Sequence, residues 1–205
     1  KIFYFLVLIA SLFNKKAQLW IEGRKNWKIN LKSKLGKNEK IVWFHCASLG
    51  EVEQGRPVIE VFKDKYPEYK ILISFFSPSG YEIRKNYEKA DYIIYLPLDT
   101  PGNAKYLMDI VNPQMVFFVK YEFWYFFIRE IGKRKIPLYL VSGIFRENQR
   151  FFRRYGINSR KMLSYFTHFF VQNQVTISLL NQIVLNNVTI TGDTRFDRVY
   201  SIATN

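Results

Sequence analysis

The chain has 205 residues, 48% apolar and 18% aromatic, and its 31 Lys and Arg outnumber 17 Asp and Glu for a formal charge of +14. That apolar content excludes a disordered chain and suffices for one large domain or a part of something longer. A single cysteine excludes a disulfide framework and a cysteine-based zinc site, which fits a reducing cytoplasm. The charge points to a polyanionic partner: nucleic acid, anionic lipid or a phosphorylated substrate.

The basic residues are concentrated at the start. Residues 1–40 hold ten basic and two acidic side chains, net +8, whereas the other 165 hold 21 basic and 15 acidic. The same segment contains the longest apolar run, Ile2 to Phe13, broken only by Ser11. That run is too short to cross a bilayer as a helix, which takes about 20 residues. A secretory signal needs a small-residue cleavage site, and Phe13-Asn14-Lys15-Lys16 offers none. The expectation is an apolar helix on an anionic membrane surface, then a basic amphipathic stretch with Trp20 and Trp27 at interfacial depth. Each Lys or Arg there adds about 1 kcal/mol of attraction to an anionic leaflet. The alternative is a helix whose apolar side packs on its own domain.

From Ile41 onward, short apolar runs alternate with longer amphipathic segments. The runs Ile41–Cys46, Ile71–Phe76, Tyr92–Leu96, Met115–Val119, Leu138–Val141, His168–Val171 and Val188–Ile190 have the length and β-branched or aromatic content of buried parallel strands. Helices are predicted over Val52–Lys65, Ser79–Tyr87, Thr100–Ile110, Glu122–Lys133, Arg160–Tyr165 and Val175–Gln182. Such alternation implies βαβ units and a doubly wound α/β sheet over 41–190.

In such sheets the chemistry gathers where loops leave the carboxyl ends of strands. The first loop is Ala47-Ser48-Leu49-Gly50-Glu51, in which Gly50 is expected to allow a tight turn and Glu51 to open a helix. The second, Ser77-Pro78-Ser79-Gly80, presents backbone N–H groups suited to an anion or a sugar hydroxyl. The third is Leu96-Pro97-Leu98-Asp99-Thr100-Pro101, and the fourth is Lys120-Tyr121-Glu122-Phe123-Trp124. Taken singly these are weak signals. A first-turn glutamate commonly just complements the helix dipole, Ser-Pro-Ser-Gly is an ordinary turn, and Lys120 and Glu122 suit a local ion pair.

Taken in order, the loops resemble the N-terminal half of the 3-deoxy-D-manno-octulosonic acid (Kdo) transferases of lipopolysaccharide synthesis. The resemblance rests on Arg24-Lys25, His45-Cys46-Ala47-Ser48-Leu49-Gly50-Glu51, Ser77-Pro78-Ser79-Gly80, Tyr95-Leu96-Pro97-Leu98-Asp99, Glu122-Phe123-Trp124, Lys135-Ile136-Pro137-Leu138 and Thr191-Gly192-Asp193-Thr194-Arg195-Phe196-Asp197. It implies a Rossmann-like half of a two-domain GT-B type fold, with 191–205 starting the crossover to a nucleotide-binding half beyond Asn205. It also implies an inverting transfer of Kdo from CMP-Kdo to the lipid A precursor, at the cytoplasmic face of the inner membrane.

The same resemblance makes Glu51 the proton acceptor and Arg195 a stabiliser of the transition state. Ser48, Gly50, Ser77, Ser79, Gly80 and Glu122 then line the substrate site. The family's fourth loop reads Glu-x-Glu-x-Trp, and here Lys120 stands at the first glutamate, the stabiliser position. Ser142-Gly143-Ile144 departs from the family's usual Asn-Ala-Arg. No cofactor or metal is expected. His45 and Cys46, adjacent on a strand, point to opposite faces and cannot share an ion, and Cys46 and His168 are expected in the core. The basic cluster Arg146, Arg150, Arg153, Arg154, Arg160 and Lys161 suits acceptor phosphates or a solvated face equally. Two other readings stay open: a related glycosyltransferase using a UDP-sugar, and a non-enzymatic nucleic-acid or membrane binder. Nucleic acid is disfavoured by basic residues clustered on an apolar N-terminus and by the lack of an RNA-binding signature.

Overall fold

The computed structural model describes residues 2–196, so Lys1 and positions 197–205 of the expected crossover lie outside the described residues. Three helices precede the sheet: α1 (Ile2–Ala10), α2 (Lys15–Glu22) and α3 (Trp27–Lys34). The strands are β1 (Lys40–His45), β2 (Tyr69–Phe75), β3 (Tyr92–Tyr95), β4 (Met115–Val119), β5 (Leu138–Gly143), β6 (His168–Val171) and β7 (Val188–Ile190). Between them run α4 (Leu49–Lys65), α5 (Pro78–Arg84), α6 (Pro101–Val111), α7 (Tyr125–Lys133), α8 (Ile157–Leu163) and α9 (Gln174–Gln182).

The seven described strands form one sheet in the order β3-β2-β1-β4-β5-β6-β7, every adjacent pair parallel. This is the doubly wound α/β architecture that the alternation predicts. Both faces are covered, which is why the strands read as continuous apolar runs. Trp43, Leu72, Phe118, Leu140 and Phe169 pack on one face, and Val42, Phe44, Ile71, Ile73 and Val119 on the other. Gly55 lets α4 approach that second face, because a Cβ there would meet Val119 Cγ2 at 3.2 Å and Cys46 Sγ at 3.3 Å.

Several expectations are corrected. Trp20 is buried rather than interfacial, because Arg24 lies 3.9 Å over its ring and Phe76 packs edge-on at 5.6 Å. Trp27 is half-buried against Tyr106, with ring centroids 5.6 Å apart. By contrast α1 exposes Phe5, Leu6 and Ile9, and the turn after it exposes Leu12 and Phe13. Cys46 is in the core, but His168 is only half-buried, with its ring beside Phe170 and Nε2 2.9 Å from Thr189 Oγ1 of the short strand β7. Finally, α7 starts at Tyr125 rather than at Glu122. Asp99 sets that boundary, its Oδ1 accepting from the N–H groups of Phe126 at 3.0 Å and Phe127 at 3.1 Å.

Candidate functional site

In this sheet β2 and β4 flank β1 on opposite sides, so the chain's winding reverses between β1 and β4. Open α/β sheets bind ligands in the crevice outside the strand ends at such a reversal. The loops after β1 and β4 carry Glu51 and Lys120-Tyr121-Glu122-Phe123-Trp124 to that place. Freeing Glu122 and Trp124 from the helix is what turns them toward β1.

Ser48, extended at φ −140° and ψ 175°, is the N-cap of α4 and Glu51 its third helical residue. Glu51 Oε2 accepts the Ser48 N–H at 2.8 Å, one arm of a capping box. Burial and the nearby Glu122 carboxylate push the Glu51 carboxyl above its ordinary value, while His45, the Ser48 N–H and Lys120 oppose the shift. A half-buried carboxylate with a raised proton affinity sits at the mouth of the switch point. Gly50 does not make the expected turn. It lies inside the first turn of α4 with open space on its Cα, so no left-handed conformation is needed.

Glu122 is drawn to the end of β1. Its Oε2 lies 2.6 Å from Trp124 Nε1 and 3.3 Å from Nε2 of the fully buried His45. Behind the imidazole, Nδ1 lies 2.8 Å from Ser74 Oγ on β2, which also accepts the Trp43 indole N–H at 2.7 Å. Lys120 takes a left-handed φ of 66°, with its N–H donating to Val141 O at 2.9 Å, and does not pair with Glu122. Non-glycine residues seldom hold such a φ away from turns and functional loops.

The Ser77–Gly80 loop abuts the first loop from the other side. Phe76 and Ser77 both donate N–H groups to Ala47 O, at 3.1 and 2.7 Å. Gly80 is required there, since a Cβ would come within 3.1 Å of the Ser48 carbonyl carbon and closer still to Phe75. Ser77 Oγ caps α5 through the Ser79 N–H and lies 2.9 Å from Ser79 Oγ. Arg195 is exposed and bound to Asp193, its Nε 2.8 Å from Oδ2, an interaction that raises the guanidinium's proton affinity and lowers that of the carboxylate. Asp193 Oδ1 in turn accepts from Nε2 of buried Gln54 on α4 at 3.1 Å, tying the segment after β7 to the Glu51 helix.

Of the basic cluster, Arg160 is used internally, donating to the carbonyls of Phe151 and Arg153 at 3.2 Å each. Arg150 instead lines an open cleft of about 480 Å³ shared with Tyr121, Glu122 and Trp124. Among the described residues no group of three or more His, Cys, Asp or Glu is placed to hold a metal ion. Sequence reasoning missed Ser74, Gln54 and Asp99 as supports of the site. A serine inside an apolar strand and a glutamine on the buried side of a helix were the available signals.

The sequence profile of the family described as 3-deoxy-D-manno-octulosonic-acid transferase (kdotransferase) matches residues 25–198. The chain belongs to this family. A Kdo transferase of Haemophilus influenzae is 28% identical over 116 residues, covering 56% of this chain and 27% of that protein. One from Chlamydia muridarum is 27% identical over 146 residues, covering 69% and 34%. One from Aquifex aeolicus is 34% identical over 86 residues, covering 40% and 23%. The matched stretch is therefore a minor part of each relative's length.

Among solved structures, the UDP-GlcNAc 2-epimerase of Neisseria meningitidis, bound to UDP-GlcNAc, matches with a TM-score of 0.59 at 18% identity, covering 80% of this chain and 50% of that one. The enzyme from Rickettsia bellii gives a TM-score of 0.59 at 14% identity, covering 82% and 48%. This likeness is one of fold, and it corresponds to one Rossmann-like half of a two-domain GT-B type architecture.

Proposed function

We propose that this chain is the acceptor-side half of an inverting glycosyltransferase that moves Kdo from CMP-Kdo to a lipid A precursor at the cytoplasmic face of the inner membrane. Family membership supports the reaction class, and one observation supports the placement: Glu51 stands at the switch point with its carboxyl raised by burial and by Glu122. Ser48, Ser77, Ser79 and Gly80 border the same mouth, Gly50 leaves open space beside it, and Glu122 and Arg150 face the adjoining cleft.

The steps assigned to the chain's own residues are few. Glu51 accepts the proton of the acceptor hydroxyl as that oxygen bonds to the anomeric carbon of Kdo. The bond from that carbon to the CMP phosphate breaks, and its electron pair leaves with the nucleotide. Arg195 and Lys120 supply positive charge near the reacting centre, where the donor carries a carboxylate and a phosphate. Lys120 does so with a sign opposite to the family's usual glutamate. In this reading CMP is bound by a second half of the enzyme, so residues 1–205 alone are expected neither to transfer sugar nor to bind CMP tightly.

The test is a donor screen on the full-length protein with lipid A precursor as acceptor. Transfer from CMP-Kdo and not from UDP-sugars supports the reading. Transfer from a UDP-sugar alone overturns it.

A further inference from the structure

Beside the site lies a groove of about 310 Å³ between α1, α2 and the start of α5. Its walls are Val7 and Ala10 of α1, Ala17 and Trp20 of α2, and Phe76 with Pro78. The polar groups that border it are already engaged. Asn14 Oδ1 accepts the N–H groups of Lys16 and Ala17, at 2.9 and 3.2 Å, and Ser77 Oγ accepts that of Ser79. A ligand inside would meet hydrocarbon and rings, so its buried part is apolar.

The rim is cationic in an unusual place. Lys15 and Lys16 occupy the first turn of α2, which holds no acid, and Glu22 ends the same helix. Cations at a helix N-terminus and an anion at its C-terminus each oppose the helix dipole. Neither lysine forms an ion pair among the described residues, and both are exposed. A local choice that works against its own helix is the mark of a functional position. An anion supplied from outside would satisfy it.

Both features meet in one ligand. We infer that the groove takes a fatty acyl chain of an anionic lipid, whose phosphate sits at Lys15 and Lys16. The surroundings match that occupant. Phe5, Leu6, Ile9, Leu12 and Phe13 expose a further apolar surface on α1 and the turn after it, suited to the membrane from which the lipid is drawn. The inner wall leads to the chemistry, since the Trp20 and Phe76 rings lie 5.6 Å apart and those of Phe76 and Trp124 4.6 Å apart. Trp124 is the residue that donates to Glu122. The groove thus lies two ring contacts from the Glu122 carboxylate at the strand ends. The identification of that lipid with the sugar acceptor rests on the transferase reading; the groove itself does not.

The experiment uses the full-length protein on vesicles of phosphatidylglycerol and phosphatidylethanolamine that carry a diazirine on the acyl chain. After photolysis, labelled peptides are located by mass spectrometry. Adducts on the peptides holding Ala17–Trp20 and Phe76–Pro78 are expected, besides those on the outward side of α1. Ala10→Trp, at an exposed position, fills the groove and should remove the inner adducts while sedimentation with vesicles and the outer adducts persist. Ala17→Leu does the same from the α2 side, and Lys15→Glu with Lys16→Glu should weaken inner labelling.

Adducts confined to α1 in the unmodified protein, or inner labelling indifferent to both filling variants, would overturn the proposal. Phosphatidylglycerol is not the sugar acceptor, so labelling is scored apart from transfer: inner labelling of a protein that moves no Kdo to lipid A precursor in the donor screen would sink the transferase reading and leave the groove standing. The converse result would do the opposite.

Discussion

His45 Nε2 faces Glu122 Oε2 at 3.3 Å while its Nδ1 lies 2.8 Å from Ser74 Oγ. Trp43 donates its indole N–H to Ser74 Oγ at 2.7 Å. The Trp124 indole N–H is shared between Glu122 Oε2 at 2.6 Å and His45 Nε2 at 2.8 Å. This relay of polar side chains fixes one carboxylate at the mouth of the sheet.

Removing its central member should be felt in folding. His45→Leu fills the space but takes one hydrogen-bond partner from Ser74 and one from Glu122, which keep Trp43 and Trp124, and such a lost bond costs about 0.5–1.5 kcal/mol. Urea unfolding should show that loss, and His45→Gln, which can still bridge, should recover part of it. Equal stability of the Leu variant would show that the relay is not formed.

Arg24 joins the N-terminal helices to the strand ends. It donates to Leu96 O at 2.9 Å, Phe76 O at 2.8 Å and Trp20 O at 2.9 Å, and lies over the rings of Trp20, Phe76 and Tyr95. Burial pulls its guanidinium down to about 9, against a modest opposing pull from Tyr95, and it remains cationic at neutral pH. Lysine keeps the charge but not the planar fork that spans three carbonyls. Arg24→Lys should cost roughly 1–3 kcal/mol, read as a lower urea midpoint at unchanged slope.

The same clamp limits how much of the N-terminus can be removed without unfolding the domain. Deleting residues 1–40 would strip Trp20, Arg24 and the core residue Leu31, whereas removing residues 1–13 takes only exposed or partly exposed positions among those whose side chains are described. The shorter deletion should abolish sedimentation with anionic vesicles and leave the melt nearly unchanged. Undiminished sedimentation would refute membrane seating through α1.

The strands and the switch-point loops were legible because sheet burial is written as apolar runs and turn chemistry as Ser, Pro and Gly. Met115–Val119, His168–Val171 and Val188–Ile190 fall where the runs place them. What the sequence concealed were long-range polar bonds. Asp99 caps α7 from 27 residues away, and Gln54 reaches Asp193 across 139. Neither partner has a local signature. Trp20 misled for the same reason: its composition suits a membrane interface, and only the folded position of Phe76 and Arg24 makes it a core residue. Gly50 misled because a glycine before a helical glutamate reads as a turn, although here the helix has already begun.

Lys120 allows a test of sign. The base proposed for Glu51 is its ionised form, so on that reading transfer should fall as pH drops through its raised pKa. Lys120 holds that pKa down, against burial and Glu122. Lys120→Glu removes a cation and adds an anion, so the acid limb of kcat/KM should move to higher pH, and Lys120→Met should move it less. Folding stability follows the same linkage. The folded state binds the Glu51 proton more tightly than the unfolded chain, so stability falls as pH rises through the window between the two pKa values, and Lys120→Glu widens that window. An acid limb indifferent to both variants would show that another group sets it.

Glu51 itself must be tested so that catalysis is separated from capping. Its Oε2 accepts the Ser48 N–H, and the side chain is half-buried, so loss of the acceptor would weaken α4 as well as the chemistry. Glu51→Ala should therefore cost on the order of 0.5–2 kcal/mol in stability, whatever the role of the carboxylate. Glu51→Gln is the informative change. Its amide oxygen still accepts the Ser48 N–H, and glutamine also removes the buried negative charge that Glu122 opposes, so stability should hold or rise slightly. Glutamine cannot take a proton. In the full-length enzyme kcat with CMP-Kdo and lipid A precursor should then fall by roughly 10²–10⁴, the usual contribution of a general base. The KM for CMP-Kdo should stay near its original value, because the nucleotide is assigned to the other half. Thermal melts of both variants accompany the kinetics. A Gln variant that is folded and active would refute Glu51 as the base, and a Gln variant as stable as the original but inactive would establish that the carboxylate is needed for the chemistry rather than for the helix.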